Sequence, residues 1–272
     1  MTEKLAIATC PDFPTLADDD RGLLRCLSDL GIDAEPVLWQ ADVDWGSYAA
    51  VLLRSVWDYY LHAPAFAAWL GRLDRERVPC WNPTSLVRWN LDKRYLRELA
   101  ARGIPTVPTL WIEPAGGLTP ETVASRIRET GWDDLVIKPT VSASAWRTLH
   151  LRTDELLGRA EPAWDVRAGG AWMAQPFMPE ILDEGEYSLL FFEGAFSHAV
   201  LKRARPGDFR VQAEHGGSQA PVTPSAPIVD QARAALLAAP SSGLYARVDG
   251  VVRDGRLILM ELELIEPFLY FA

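Results

Sequence analysis

Short apolar runs separated by amphipathic stretches open the chain. Residues 5–9 form one β run and residues 34–39 a second. The run Ala49-Ala50-Val51-Leu52-Leu53 has the continuous apolarity of a strand buried on both faces. Between the first two, Leu23, Leu24, Leu27 and Leu30 recur at helical spacing, with Asp18-Asp19-Asp20 read as acidic caps and Gly31 as the stop. Residues 65–73 are helical, and Cys80-Trp81 returns as a short strand. This alternation predicts a small parallel sheet with right-handed crossovers over the first 90 residues.

Further on, the pattern predicts an amphipathic helix over residues 90–102, ending at Gly103, and a strand over 106–112. A turn at Gly116-Gly117 and a helix over 120–130 follow, then a strand Leu135-Val136-Ile137 that runs into Lys138-Pro139. Strands are expected over 172–177, 187–192 and 198–201. Residues 207–227 are polar and rich in glycine and proline, hence loop. A helix over 228–239 precedes a hairpin of residues 248–252 and 256–264 about Asp254-Gly255.

With 272 residues the chain has room for about two domains or one large one. Asp and Glu outnumber Lys and Arg by 37 to 27, a net charge of −10, which argues against non-specific nucleic-acid binding. A nucleotide bound through a metal ion is not excluded by that charge. Apolar residues at 49% can build a real core, so intrinsic disorder is not expected. No apolar run approaches the ~20 residues of a membrane helix, and the first residues are too weakly apolar for a signal peptide; a cytoplasmic protein is expected. Cys10, Cys26 and Cys80 make no CxxC pair and read as small buried residues. His62, His150, His198 and His215 lack metal-ligand spacing, and no GxSxG elbow, P-loop or GxGxxG signature occurs.

The hairpin carries the clearest chemistry. In a strand, residues two apart share a face, so Glu261 and Glu263 point together, with Met260, Leu262 and Leu264 opposite. Asp249 on the partner strand can lie against them. Three carboxylates on one face repel unless cations sit between them, and hard oxygen ligands suit Mg²⁺ shared with phosphate oxygens; a solvated acidic face reads the same way. Lys138, at the end of a buried strand, precedes the small-residue run Thr140-Val141-Ser142-Ala143-Ser144-Ala145, which can place an ammonium and backbone N–H groups on phosphate. Taken alone it also reads as a surface lysine. Lys93, after Asn90-Leu91-Asp92, and the cluster Arg203, Arg205, Arg210, His215 with Gly216-Gly217 suit an anionic ligand or an ordinary helix and loop.

The order of these features resembles the ATP-grasp superfamily, in the branch of glutathione synthetases, D-alanine ligases and ribosomal-protein glutamate ligases. The resemblance rests on Asp92-Lys93, Ile137-Lys138-Pro139, Ala174-Gln175-Pro176-Phe177-Met178, Gly185-Glu186-Tyr187-Ser188, Gly207-Asp208-Phe209-Arg210, Arg247-Val248-Asp249 and Glu261-Leu262-Glu263, and spans residues 90–267. It implies a mixed α/β and α+β fold: a Rossmann-like parallel-sheet substrate domain over 1–90, then a two-part ATP-grasp domain over 91–272 with 106–177 as the lid-bearing subdomain. By the same resemblance Lys93 and Lys138, with Ser142 and Ser144, face the ATP phosphates. Gln175, Pro176 and Met178 line the adenine edge, and Glu186 meets the ribose. Asp249, Glu261 and Glu263 would carry two Mg²⁺ ions, with Mn²⁺ as a substitute; Glu263 departs from the family's usual asparagine. Arg247, Arg210 and Lys202 would face the transferred phosphoryl group. The loop 140–148 departs in lacking the family's glycines, and the apolar end at Phe271-Ala272 suggests that a few tens of residues are missing.

Phrases around Arg54-Ser55-Val56-Trp57-Asp58-Tyr59, Arg88-Trp89-Asn90-Leu91-Asp92-Lys93 and Glu261-Leu262-Glu263-Leu264-Ile265-Glu266-Pro267 are similar to the subgroup that includes the D-cycloserine-forming cyclo-ligase of O-ureido-D-serine. The expected activity is an ATP- and Mg²⁺-dependent carboxylate–amine ligase with an acyl-phosphate intermediate and a small amino-acid-like substrate. Ring closure, intermolecular amide formation and nucleotide binding without ligation remain alternatives at this point, as does a homodimer. Asp12 and the segment 54–59 are expected near the substrate, or else Trp57 and Tyr59 pack a domain interface.

Overall fold

The computed structural model describes residues 4–114, 119–156, 170–212 and 215–271. Their strands fall into three sheets, one parallel and two antiparallel. The expected Gly116-Gly117 turn lies outside the described residues.

The N-terminal part follows the predicted alternation: β1 (Lys4–Thr9), α1 (Asp18–Asp29), β2 (Ala34–Leu38), β3 (Tyr48–Ser55), α2 (Ala63–Glu76) and β4 (Cys80–Trp81). The strands are parallel in the order β2-β1-β3-β4. Trp39, Trp45, Phe66 and Trp69 fill the core beside β3, with Trp39 edge-on to Phe66 at 5.2 Å. The acidic triplet does not cap α1 as expected. Ala17 is the N-cap residue, Asp19 accepts the backbone N–H groups of Leu269, Tyr270 and Phe271, and Asp20 is buried against Arg54. Of the cysteines, Cys10 and Cys80 are buried as expected, but Cys26 is exposed on the outer face of α1.

The helix predicted over 90–102 is two helices, α3 (Thr84–Asn90) and α4 (Tyr95–Ala101), with Lys93 in the turn between them. Asn90 bonds the Leu262 carbonyl and the Leu264 N–H, and the Tyr95 hydroxyl bonds the carbonyl and N–H of Leu262. These side chains satisfy a strand edge that would otherwise lack partners. The strand expected over 106–112 shrinks to β5 (Leu110–Ile112). Pro105 and Pro108 interrupt it because neither can donate to a ladder, and Thr106 makes only an isolated bridge to Leu259.

After α5 (Pro120–Glu129) come β6 (Asp134–Pro139), β7 (Leu149–Arg152) and β8 (Trp172–Pro176), giving a sheet of order β5-β8-β6-β7. Then follow α6 (Glu180–Asp183), β9 (Glu186–Phe192), β10 (Ala195–Arg203), β11 (Ser218–Val222), α7 (Ala226–Leu237), β12 (Tyr245–Arg253) and β13 (Arg256–Glu263). The last sheet runs β11-β10-β9-β12-β13. β7 and β11 escaped the sequence reading. β11 is an almost wholly exposed edge strand containing Pro221, so it has no apolar alternation to betray it.

The β12–β13 register places Asp249 opposite Glu261 and Arg247 opposite Glu263, as the hairpin implied. One correction applies. A bulge follows Asp249, so Gly250 pairs with Leu259 and Met260 becomes the extra residue. Met260 therefore faces the cavity rather than the opposite side of the sheet. Gly250 is required there: a Cβ would lie 2.6 Å from the Ile258 carbonyl oxygen. Among the described residues no helix is long and apolar enough to cross a membrane.

Candidate active site

A cavity of about 610 Å³ opens where the three sheets meet. Lys93, Lys138, Ser142, Ser144, Gln175, Pro176, Met178, Glu186, Lys202, Arg210, Arg247, Asp249, Glu261 and Glu263 all line it. Side chains spread over more than 170 positions of sequence are thus gathered at one place.

One wall is cationic. Lys138 leaves the end of β6 and makes no ion pair among the described residues, and burial pulls its ammonium below the usual lysine range. Lys93 donates to the Ser142 carbonyl and pairs with Glu261 at 2.9 Å. The loop after β6 reaches the left-handed region at Ser144, Ala145 and Arg147, with φ of 48°, 54° and 52°, so it makes its turn without the expected glycines. It is braced by Trp146 against Tyr60, with ring centroids 5.5 Å apart.

The floor is a chain of alternating charge. Lys202 lies between Glu186 (2.5 Å) and Asp249 (3.2 Å). Arg247 lies between Asp249 (2.9 Å) and Glu263. Ser188 donates to Asp249 at 2.6 Å. Burial opposes the Asp249 charge, but Arg247 and Lys202 override it and keep its carboxyl below the usual range. The same two carboxylates, Asp249 and Glu186, keep Lys202 protonated despite burial. Burial pushes the Glu263 carboxyl up to about 7, against the attraction of Arg247. Arg210 is locked by Asp208 at 2.8 Å on the rim and stays partly exposed.

The expected cations between the carboxylates are therefore, in this structure, protein side chains. Among the described residues no three His, Cys, Asp or Glu groups converge as a metal centre. The donor chemistry nevertheless suits a hard divalent ion. Glu261 and Glu263 keep 29% and 28% of their side-chain surface open, whereas Asp249 is enclosed.

Beside this floor runs an apolar slot of Val107, Met178, Ile181 and Val211 with Met260. Gln175 at its edge donates to Thr109. At the other end the N-terminal sheet contributes Cys10, Asp12, Phe13, Trp57 and Tyr59, and the last segment contributes Glu266, Phe268 and Tyr270. Burial raises the Cys10 thiol, so it is no ready nucleophile. Arg54 and Ser55, expected near the substrate, do not reach the cavity. Arg54 and Asp20 form an ion pair at 2.9 Å in which both side chains are only 2% exposed, and Ser55 donates to the same carboxylate. Glu266, Met260, Phe268 and Tyr270 are among the lining residues that sequence reasoning did not assign to the site. For Met260 the one available signal was Gly250, beside the bulge on the partner strand.

The arrangement resembles known proteins in both sequence and shape. The profile of the D-cycloserine synthetase DcsG N-terminal domain matches residues 5–82. The cycloserine biosynthesis protein DcsG of Streptomyces lavendulae is 30% identical over 263 residues, covering 91% of this chain and 86% of that protein. The crystal structure of D-cycloserine synthetase DcsG superposes with a TM-score of 0.87 at 28% identity, over 98% of this chain and 93% of the other. D-alanine–D-alanine ligase from Bacillus anthracis shares the fold, with a TM-score of 0.73 at 16% identity over 97% and 87% of the two chains.

Proposed function

This chain belongs to the DcsG family of ATP-grasp ligases, and from that premise we propose that it closes a ring within one small amino-acid substrate, converting O-ureido-D-serine to D-cycloserine. As a member it is an ATP-dependent enzyme that forms carbon–nitrogen bonds. The observation that carries the reading is that Lys138, unpaired among the described residues, the carboxylate face of β12 and β13, and the aromatic loop of the N-terminal sheet meet in one cavity.

In this reading the substrate carboxylate attacks the γ-phosphorus of ATP, forming an acyl phosphate and ADP. The oxygen-linked ureido nitrogen of the same molecule then attacks the acyl carbon and inorganic phosphate leaves; water takes the carbamoyl group off that nitrogen as carbamic acid, which breaks down to carbon dioxide and ammonia. Lys138 and Lys93 approach the phosphates, and the loop 140–148 covers them. The slot of Met178, Ile181 and Met260 takes the base, with Gln175 and Pro176 at its edge and Glu186 toward the ribose. Glu261, Glu263 and Asp249 would hold Mg²⁺, which when bound supplies positive charge shared with the phosphate oxygens. Arg247 and Lys202 stabilise charge on the transferred group, with Arg210 at the rim. Positioning and electrostatics suffice for such a transfer. An amine on the same molecule has a high effective concentration and needs no second pocket.

The test is to supply O-ureido-D-serine with MgATP and, separately, pairs of free amino acids. A cyclic product with phosphate release is expected. Dipeptide formation without a cyclic product would reject ring closure in favour of intermolecular ligation.

A further inference from the structure

The two ends of the cavity are opposite in character. The phosphate-facing end carries Lys93 and Lys138, but the end beneath the N-terminal sheet carries Glu266 among aromatic rings. Glu266 is 6% exposed, lines the cavity, and has no ion pair among the described residues. The like charge of Glu263 acts on it more strongly than the opposite charge of Arg247, which is committed to Asp249 and Glu263. A buried carboxylate is costly unless a cation pairs with it. All other deeply buried acids at this site, Asp249 and Glu186, already have one.

The surroundings favour a particular cation. The Trp57 indole N–H donates to the Glu266 carbonyl oxygen at 2.9 Å, which fixes that ring beside residue 266. Phe13 meets Trp57 edge-on at 4.9 Å, and the Phe268 ring lies 6.1 Å from it. Aromatic faces attract an organic ammonium, while a metal ion would prefer further oxygen ligands. Burial and the Glu263 charge push the Glu266 carboxyl up to about 8, so it is largely protonated at neutral pH on its own and ionises when a cation pairs with it.

We infer that Glu266, flanked by Trp57 and Phe268, binds the primary ammonium of the amino-acid substrate and thereby selects ammonium-bearing substrates. The inference rests on the ligase reading for the substrate's general class, but not on the product being cyclic. With the substrate's ammonium against Glu266, its carboxylate is left free to point toward Arg247 and the phosphate end.

The experiment compares wild type with Glu266→Gln and Glu266→Ala. Calorimetry in the presence of MgADP measures binding of O-ureido-D-serine, of D-serine and of their N-acetyl derivatives, which lack the ammonium. Steady-state phosphate release gives KM for substrate and for MgATP, and the Mg²⁺ requirement. Wild type should prefer the free amino acids at least tenfold over the N-acetyl forms. Glu266→Gln should reduce that preference to near unity and raise the substrate KM at least tenfold, with the KM for MgATP within twofold. Retained discrimination in both variants would overturn the inference, as would a wild type that binds the N-acetyl forms equally well. A changed Mg²⁺ requirement with unchanged amino-acid binding would overturn it too, by assigning Glu266 to the metal. If wild type binds the amino acids through Glu266 yet yields no cyclic product, ring closure fails and the ammonium site stands.

Discussion

Lys138 ends a buried strand with no ion pair among the described residues, while Lys202 and Arg247 on the cavity floor are already paired. In the proposed role it awaits phosphate. Lys138→Ala should weaken MgATP binding by about 1.5–3 kcal/mol, the range for a hydrogen bond to a charged group, and should leave the thermal midpoint nearly unchanged because no ion pair among the described residues is lost and a buried ammonium is removed. Titration calorimetry and a melting curve check both halves; an unaltered dissociation constant would show Lys138 to be a bystander. Glu261 sits differently, paired to Lys93 but partly open. Glu261→Gln removes the charge and keeps the volume, so turnover should vanish while the far-UV circular dichroism spectrum is retained. Near-wild-type phosphate release at saturating Mg²⁺ would remove Glu261 from the metal site.

At the scale of elements, the bulge in the β12–β13 hairpin decides what the slot is made of. Strand period alone sends Met260 to the far side of the sheet, and one extra residue re-aims it. The bulge depends on Gly250, whose place tolerates no side chain beside the Ile258 carbonyl. Gly250→Ala should destabilise the fold by about 1–3 kcal/mol, as overpacking of a tight site does, and should also weaken nucleotide binding through Met260. Urea unfolding with a parallel nucleotide titration reads both effects. A loss of stability with unchanged nucleotide affinity would separate the bulge from the slot. The break between α3 and α4 is a comparable case. A continuous helix would carry Lys93 on its surface, but Asn90 and Tyr95 instead bond the edge of β13 and leave Lys93 in the turn above the cavity.

Across the whole molecule, the N-terminal sheet is fastened to the C-terminal one by buried polar side chains. Asn82 donates to the carbonyls of Tyr245 (2.9 Å) and Leu264 (2.7 Å) and accepts from the Leu244 N–H (2.6 Å). Arg54 adds a bond to the Pro267 carbonyl and stacks over Tyr245 at 5.0 Å. Asn82→Ala would strand several buried backbone groups and should cost about 2–4 kcal/mol, each unsatisfied group contributing about 1–3. Because the substrate end of the cavity spans this junction, the substrate KM should rise as stability falls. Chemical unfolding and steady-state kinetics test the pair, and a destabilised variant with an unchanged KM would show that the junction supports the fold without shaping the site.

The sequence by itself determined the parallel alternation of the N-terminal part, because continuous apolar runs and helical stripes are local signals. It also determined that Glu261 and Glu263 share a face with Asp249 opposite, because strand period and hairpin pairing are local as well. The order of the lysines and carboxylates along the chain was enough to bring the ATP-grasp resemblance into view. Only the tertiary structure decided that Asp19 and Asp20 serve the distant residues 269–271 and Arg54 rather than capping α1. It alone showed that side-chain cations stand between the carboxylates and that Glu266 closes one end of the cavity with no ion pair among the described residues. Periodicity reports which side of an element a residue occupies. It is silent about which elements meet, and it vanishes in irregular segments such as residues 264–271, where the remaining site residues lie.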